Sequence, residues 1–184
     1  MSPESTTERY IVFLRGINVG GHKKVPMAEL KKMLAGMGYE NVVTLLNSGN
    51  VIFDTDPDTE QNLERRISDQ LEQTFGFPVP VLIRTAEAIQ QLFDTDPFKD
   101  IELHKDIRLY VSFLKEDKRL GLDFPWSSDD GSFRILSDDN RSIISVLDLS
   151  ISGTPQAMEF LEKQYGKDIT TRNWKTINRI VAKL

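Results

Sequence analysis

The chain has 184 residues, of which 23 are Lys or Arg and 28 are Asp or Glu, giving a formal charge of −5. It has no Cys and two His, so disulfides, thiolate metal sites, a Cys nucleophile and His-rich metal centres are excluded. The charged and hydrophobic fractions, 28% and 39%, are those of an ordinary globular chain that forms one domain or two small subdomains.

The first half of the chain predicts the element order β-α-β-β-α-β. Pro26 stands where a helix can begin without losing a hydrogen bond, and Gly38 ends that helix. Asp56 and Pro57 indicate the cap and first residue of the next long helix. A short helix is expected at residues 86–93. The strands predicted from apolar runs are residues 9–15, 42–46, 51–53 and 79–83.

The second half predicts a looser version of the same order. Strands are expected at residues 107–114, 133–136 and 143–149. Thr154-Pro155 is predicted to cap a helix that runs through Tyr165 and that Gly166 ends. Thr171 is predicted to cap the last helix, which has apolar residues on one side and basic residues on the other.

These elements predict an α+β fold with two subdomains, each resembling a ferredoxin-like, split β-α-β fold, the second more irregular. We divide the chain into a flexible N-terminus (1–8), a first subdomain (9–93), an acidic connector (94–106) and a second subdomain with the C-terminal helix (107–184). No segment is long and apolar enough to be a signal peptide or membrane span. We therefore expect a cytoplasmic protein with no membrane partner.

The charge is distributed unevenly along the sequence. Residues 9–28 and 169–184 each contain four basic residues and no acidic one, whereas the rest of the chain has 28 acidic and 15 basic residues. If the fold brings both segments together, they form a surface that attracts anions.

The loop after the first predicted strand has the composition of an anion-binding site. Its glycines allow backbone N–H groups to approach a ligand, its basic residues supply charge, and a helix N-terminus follows. It matches neither the P-loop nor the G-x-G-x-x-G pattern, so a connector with solvated lysines is the alternative interpretation. The candidate ligand-binding residues here are Arg15, Asn18, Gly20, Gly21, Lys23 and Lys24.

Three blocks resemble a bacterial family that is catalogued as a domain of unknown function, the 1697 family. They are Leu14-Arg15-Gly16-Ile17-Asn18-Val19-Gly20-Gly21, Asn47-Ser48-Gly49-Asn50-Val51 and Thr170-Thr171-Arg172-Asn173-Trp174. The resemblance implies two α+β subdomains and no established activity. Relatives carry a basic residue shortly before the penultimate helix, and residues 148–155 of this chain contain none.

The other two blocks add four candidate residues. Ser48 and Asn50 can offer a hydroxyl and an amide to a ligand, or they can simply shape a hairpin turn. Arg172 can pair with a phosphate or carboxylate beside Asn173, or it can be solvated at a helix start. His22 alone is a weak acid–base candidate.

Three functions follow as hypotheses. The first is binding of a small anionic ligand, such as a nucleotide, at a composite site of the loop, the 47–50 turn and the start of the last helix. The second is nucleic-acid binding on the sheet. The third is a structural or regulatory interaction through Phe124 and Trp126, should these be exposed. We predict no metal and no cofactor, and leave catalysis and oligomeric state open.

Overall fold

The computed structural model describes residues 6–184, which form a mixed α+β fold with two sheets and five helices. Unit 1 holds the described residues up to Gln91 together with Arg179–Leu184, and unit 2 holds Leu92–Asn178. The predicted fold class, α+β with two β-α-β subdomains of which the second is less regular, is confirmed. Residues 1–5 of the predicted flexible N-terminus lie outside the described residues.

Unit 1 has the split β-α-β arrangement. Its sheet has the strand order β2-β3-β1-β4, and all neighbouring strands are antiparallel. Each helical crossover therefore joins two parallel strands that have a third strand between them. The elements are β1 (Glu8–Leu14), α1 (Met27–Gly36), β2 (Glu40–Leu45), β3 (Asn50–Thr55), α2 (Glu60–Phe75), β4 (Val81–Thr85) and α3 (Ala86–Asp94), which continues into unit 2.

The core of unit 1 lies between this sheet and helices α1 and α2. Alternate residues of β1, among them Tyr10 and Val12, pack in that core with Leu30 of α1 and Leu63 of α2. Ile11, on the other face of β1, is also buried. The strand is therefore apolar without alternation, which is why its sequence indicated a buried strand.

Helix α2 begins later than the sequence predicted. Asp56 is not its cap; the helix starts at Glu60, and the side chain of Thr59 accepts a hydrogen bond from the N–H of Asn62. Asp58 instead accepts from the N–H of Thr59 at 2.7 Å. Asp56, Asp58 and Thr59 all favour the N-cap position, so the sequence does not show which of them caps the helix.

Unit 2 repeats this topology with one helix missing. The sheet order β6-β7-β8-β5-β9 contains the series β7-β8-β5-β9, which matches β2-β3-β1-β4 of unit 1. The segment between β5 and β7 holds the two-residue strand β6 where unit 1 has α1. The elements are β5 (Ile107–Leu114), β6 (Trp126–Ser127), β7 (Phe133–Asp139), β8 (Ser142–Asp148), α4 (Thr154–Tyr165), β9 (Ile169–Asn173) and α5 (Trp174–Val181), which continues into unit 1.

The registers of the two sheets agree in detail. Ile11 of β1 pairs with Arg84 of β4, and Val111 of β5 pairs with Arg172 of β9. Both arginines are buried, and each donates from Nη1 to the carbonyl oxygen of the residue before it, at 2.8 and 3.1 Å. Arg84 and Arg172 thus occupy equivalent positions in the two units.

The predicted start of the last helix is wrong. Thr171 does not cap α5, because it lies in β9 and its hydroxyl is 2.7 Å from that of Ser112 in β5. Asn173 is the cap, since its Oδ1 accepts a hydrogen bond from the N–H of Lys175 at 2.9 Å. Pairing with a distant strand extended β9 two residues beyond the local capping signal.

Candidate functional site

The glycine-rich loop between β1 and α1 contains a tight turn. The N–H of His22 donates to the carbonyl of Val19 at 3.0 Å, and the two residues between them, Gly20 and Gly21, have φ of 59° and 77°. Two positive φ values at the central positions are typical of a type I′ turn, which favours glycine at both. Exposed Lys23 and Lys24 follow this turn in the segment that leads to α1.

Asn18 links this loop to the 47–50 turn. Its Nδ2 donates to the carbonyl oxygens of Asn47 at 2.8 Å and Val25 at 3.0 Å, and its Oδ1 accepts from the N–H of Val25 at 2.8 Å. Both donors of the amide are thus used within the protein. Its φ of 55° is one that Asn tolerates better than most residues.

The 47–50 turn packs directly on the end of β1. The carbonyl of Gly49 accepts from the N–H of Leu14 at 2.9 Å. Buried Asn50 donates from Nδ2 to the carbonyl of Leu45 at 2.9 Å and to the hydroxyl of Ser48 at 3.0 Å. The polar groups of Ser48 and Asn50 therefore shape the turn.

A cavity of about 340 Å³ opens between the loop, the turn and the start of α1. Lys24 is the one charged residue that lines it within residues 6–184. Met27 stands at the first position of α1, where the backbone N–H groups have no partner inside the helix. The lining residues are Asn18, Gly21, Lys24, Val25, Pro26, Met27 and Asn47.

The structure brings some of the sequence-predicted residues to this cavity and not others. Asn18, Gly21 and Lys24 line it. The lining does not include Arg15, Gly20, Lys23, Ser48 or Asn50, although all belong to the loop or the adjoining turn. Asn47 was missed as a site residue; its place at the head of the Asn47-Ser48-Gly49-Asn50 block was the available signal.

Arg172 and Asn173 belong to unit 2. Arg172 is 8% exposed, and its Nη1 donates to the hydroxyl of Thr170 at 2.9 Å. Burial lowers the pKa of Arg172 to about 10. Asn173 uses its Oδ1 to cap α5, so both residues have structural contacts within unit 2.

No helix in residues 6–184 has the length and apolar character needed to cross a membrane. Within the same part of the chain, no cluster of three or more His, Asp or Glu side chains is placed to hold a metal ion.

The fold and the loop define an α+β protein with two β-α-β units and a glycine-rich first crossover. The chain belongs to the family described as Protein of unknown function (DUF1697), whose profile matches residues 7–121. That match includes the loop and the 47–50 turn and ends before the Thr170–Trp174 block.

A solved structure shares the fold. The conserved bacterial protein SP0830 from Streptococcus pneumoniae is 24% identical, and the alignment covers 96% of this chain and 98% of that chain with a TM-score of 0.64. No curated protein matches the sequence.

Proposed function

We propose that this protein binds a small anionic ligand, one that carries a phosphate or carboxylate group, at the cavity beside the glycine-rich loop. Nucleotides are one group of ligands in this class. The observation that carries the proposal is the cavity itself, because Lys24 lines it, the first turn of α1 borders it, and no acidic residue of the described chain is among its lining residues.

The electrostatics favour an anion. An ammonium group and the positive end of a helix dipole act in the same direction at this position. The cavity of about 340 Å³ falls at the small end of the range for ligand pockets, roughly 300–1,000 Å³. It can accept a phosphate or carboxylate group with part of the molecule that carries it.

The site is also preorganised. The bonds from Asn18 to Val25 and Asn47 join the loop and the turn before any ligand arrives. Less ordering is then needed on binding, which favours affinity. In this proposal Lys24 contacts the ligand and Asn18 positions the loop.

The two alternative functions, nucleic-acid binding and docking of another protein, have less support. The sheet of unit 1 has three aromatic residues within residues 6–184, namely Tyr10, Phe13 and Phe53, and all are buried, so none can stack a nucleic-acid base. Trp126 stacks on Phe160, and both Phe124 and Trp126 are half-buried against the core of unit 2. This partial burial leaves less apolar surface for a docking protein than two exposed aromatic residues would offer.

Isothermal titration of the protein with inorganic phosphate, AMP, citrate and adenosine tests the proposal. We expect binding of at least one anion and none of adenosine alone. Lys24→Gln should weaken anion binding about tenfold, the usual effect of losing a charge-assisted hydrogen bond. Lys31→Gln is the matched control, since Lys31 is exposed on α1 and does not line the cavity.

Two results would count against the proposal. Absence of binding for all the anions would remove its basis. Equal binding by the parent protein and Lys24→Gln would place the ligand elsewhere.

A further inference from the structure

A second cavity lies in unit 2, which has no counterpart of α1. In unit 1, α1 contacts β2 and α2. Their counterparts in unit 2 are β7 and α4, and residues of both elements line a cavity of about 170 Å³. The two-residue strand β6 contributes Trp126 to its wall.

One wall of this cavity is aromatic. The rings of Trp126 and Phe160 stack with centroids 4.6 Å apart, and Phe133 meets Phe160 edge-on at 6.0 Å. All three line the cavity, together with Leu147 and Ala157. Such a wall suits an apolar or flat part of a ligand and can also attract a cation.

On the polar wall, Asp130 is the one charged residue among the described residues that line this cavity. Its Oδ1 accepts from the hydroxyl of Ser128 at 2.7 Å, and from the N–H and the hydroxyl of Ser132 at 2.9 and 2.7 Å. These bonds hold the carboxylate in one orientation. They also lower the pKa of Asp130 to about 2, so it is ionised at neutral pH.

Polar groups remain available for a ligand on this wall. The bonds from Ser128 and Ser132 all use Oδ1 of Asp130, so they leave Oδ2 for a ligand, and Ser152 adds a hydroxyl to the lining. The side chain of Gln156 lies at the start of α4 beside Gly153. Exposed Asp130 and Gln156 and half-buried Ser152 thus line the same cavity as the aromatic side chains.

The charges at the cavity determine which sign of charge a ligand should carry. No Lys, Arg or His is among its described lining residues. The start of α4 carries about half a positive charge, whereas Asp130 carries a full negative one that is fixed at the cavity. The balance favours a cation over an anion.

We propose that this cavity binds a small organic cation, an amine or amidine with a compact apolar body. The cationic group would bind Oδ2 of Asp130, and the apolar body would lie against Trp126 and Phe160. The cavity of about 170 Å³ is smaller than the roughly 300–1,000 Å³ of typical ligand pockets, so the ligand is a small one. This site lies in unit 2, whereas the proposed anion site lies in unit 1, so either can fail alone.

The chain offers a direct spectroscopic test because it has two tryptophans, Trp126 and Trp174. The two indole N–H signals in an NMR spectrum can be assigned with Trp126→Phe. Titration with benzylamine should shift the Trp126 signal more than that of Trp174. Benzyl alcohol and benzoate have the same ring without the positive charge, and we expect both to bind at least tenfold more weakly.

Two variants test the role of the carboxylate. Asp130→Asn should reduce benzylamine affinity about tenfold and leave benzyl alcohol nearly unchanged. Asp129→Asn is the control, because Asp129 is exposed and does not line the cavity. It should bind benzylamine as the parent protein does.

The comparison of the three ligands on the parent protein remains decisive if Asp130→Asn does not fold. A Trp126 signal that does not move with benzylamine would overturn the proposal. Equal affinity for benzylamine and benzoate would overturn it too, as would unchanged benzylamine binding by a folded Asp130→Asn protein.

Discussion

Gly49 is the residue on which the geometry of the 47–50 turn depends most. Its φ is +80°, and a Cβ atom at this position would lie 2.7 Å from Cδ1 of Ile17 and 2.8 Å from Cβ of Leu14. Both neighbours are buried. We expect Gly49→Ala to lower the free energy of unfolding by about 2–4 kcal/mol, from overpacking together with the strain of positive φ.

Gly38→Ala separates these two contributions. Gly38 also has positive φ, +91°, but a Cβ there would meet no atom of the described residues within 4 Å, its chain neighbours aside. The Gly38→Ala variant should lose only about 1–2 kcal/mol of its free energy of unfolding. Urea unfolding of both variants measures the difference, and equal losses would mean that Gly49 has no steric role.

Asn18 illustrates what a residue pattern can and cannot predict about a site. The place of Asn18 in a glycine-rich loop is visible in the sequence, and in the structure this residue lines a cavity. Its bonds to Val25 and Asn47 join residues 7 and 29 positions away, and composition alone cannot reveal such contacts. The same limit applies to Arg172, whose sequence neighbours gave no sign that it would be buried in a strand.

At the level of secondary structure, the start of α5 provides a matched pair of variants. Asn173→Ala removes the side chain that accepts from Lys175 and should cost about 1 kcal/mol of stability, as N-cap losses usually do. Thr171→Ala removes the hydroxyl contact with Ser112 and leaves the cap intact. We expect faster hydrogen exchange at the Lys175 amide in Asn173→Ala only.

The reverse result, faster hydrogen exchange at the Lys175 amide in Thr171→Ala alone, would mean that Thr171 and not Asn173 caps α5. Unfolding in urea provides the accompanying stability values.

Helix and strand boundaries were predicted best where a local signal marks them. The strand at residues 107–114 has the bounds expected from its sequence, and α4 ends at Tyr165, before Gly166, as expected. The N-cap of α4 is Gly153, one residue before the predicted cap Thr154. The last strand was missed because Ile169-Thr170-Thr171 becomes a strand only by pairing with β5. Strand formation that depends on a partner some 60 residues away has no local signal.

The two units share a local arrangement at the end of the last strand of each sheet. In unit 1 the buried Arg84 precedes Thr85, whose hydroxyl accepts from the N–H of Ala88 at the start of α3. In unit 2 the buried Arg172 precedes Asn173, which caps α5 in the same way. A buried arginine followed by a capping residue thus ends the last strand of each sheet.

For the whole molecule, the titrating groups predict a plateau of stability between two limits. Asp54 and Asp58 in unit 1 and Asp130 and Asp148 in unit 2 all have a lowered pKa, because hydrogen bonds stabilise their charged forms. A lowered pKa stabilises the fold above the unfolded value near 3.9, and this stability is lost as the pH falls through the folded-state pKa of each group, which is about 2 for Asp130.

At the alkaline limit the pKa shifts have the opposite sign, because they belong to buried tyrosines. Burial raises the pKa of Tyr10 to about 12, and it raises those of Tyr39 and Tyr165 as well. A raised tyrosine pKa stabilises the fold below about 10, and that stability is lost as the pH rises through the folded-state value. The urea midpoint should therefore be nearly constant from about pH 5 to 9 and fall on both sides.

Asp54 allows the acid limit to be assigned to a particular contact. Arg9 donates to both of its oxygens, at 2.7 and 2.9 Å, and Nδ2 of Asn41 donates to one of them at 2.8 Å. Asp54→Asn should be less stable than the parent protein at pH 7, and the two urea curves should converge in acid, where Asp54 is protonated. Asp69→Asn, at an exposed position on α2, should follow the parent at every pH. If Asp54→Asn also stays parallel to the parent down to pH 2, the Arg9 pair does not contribute to the acid limit.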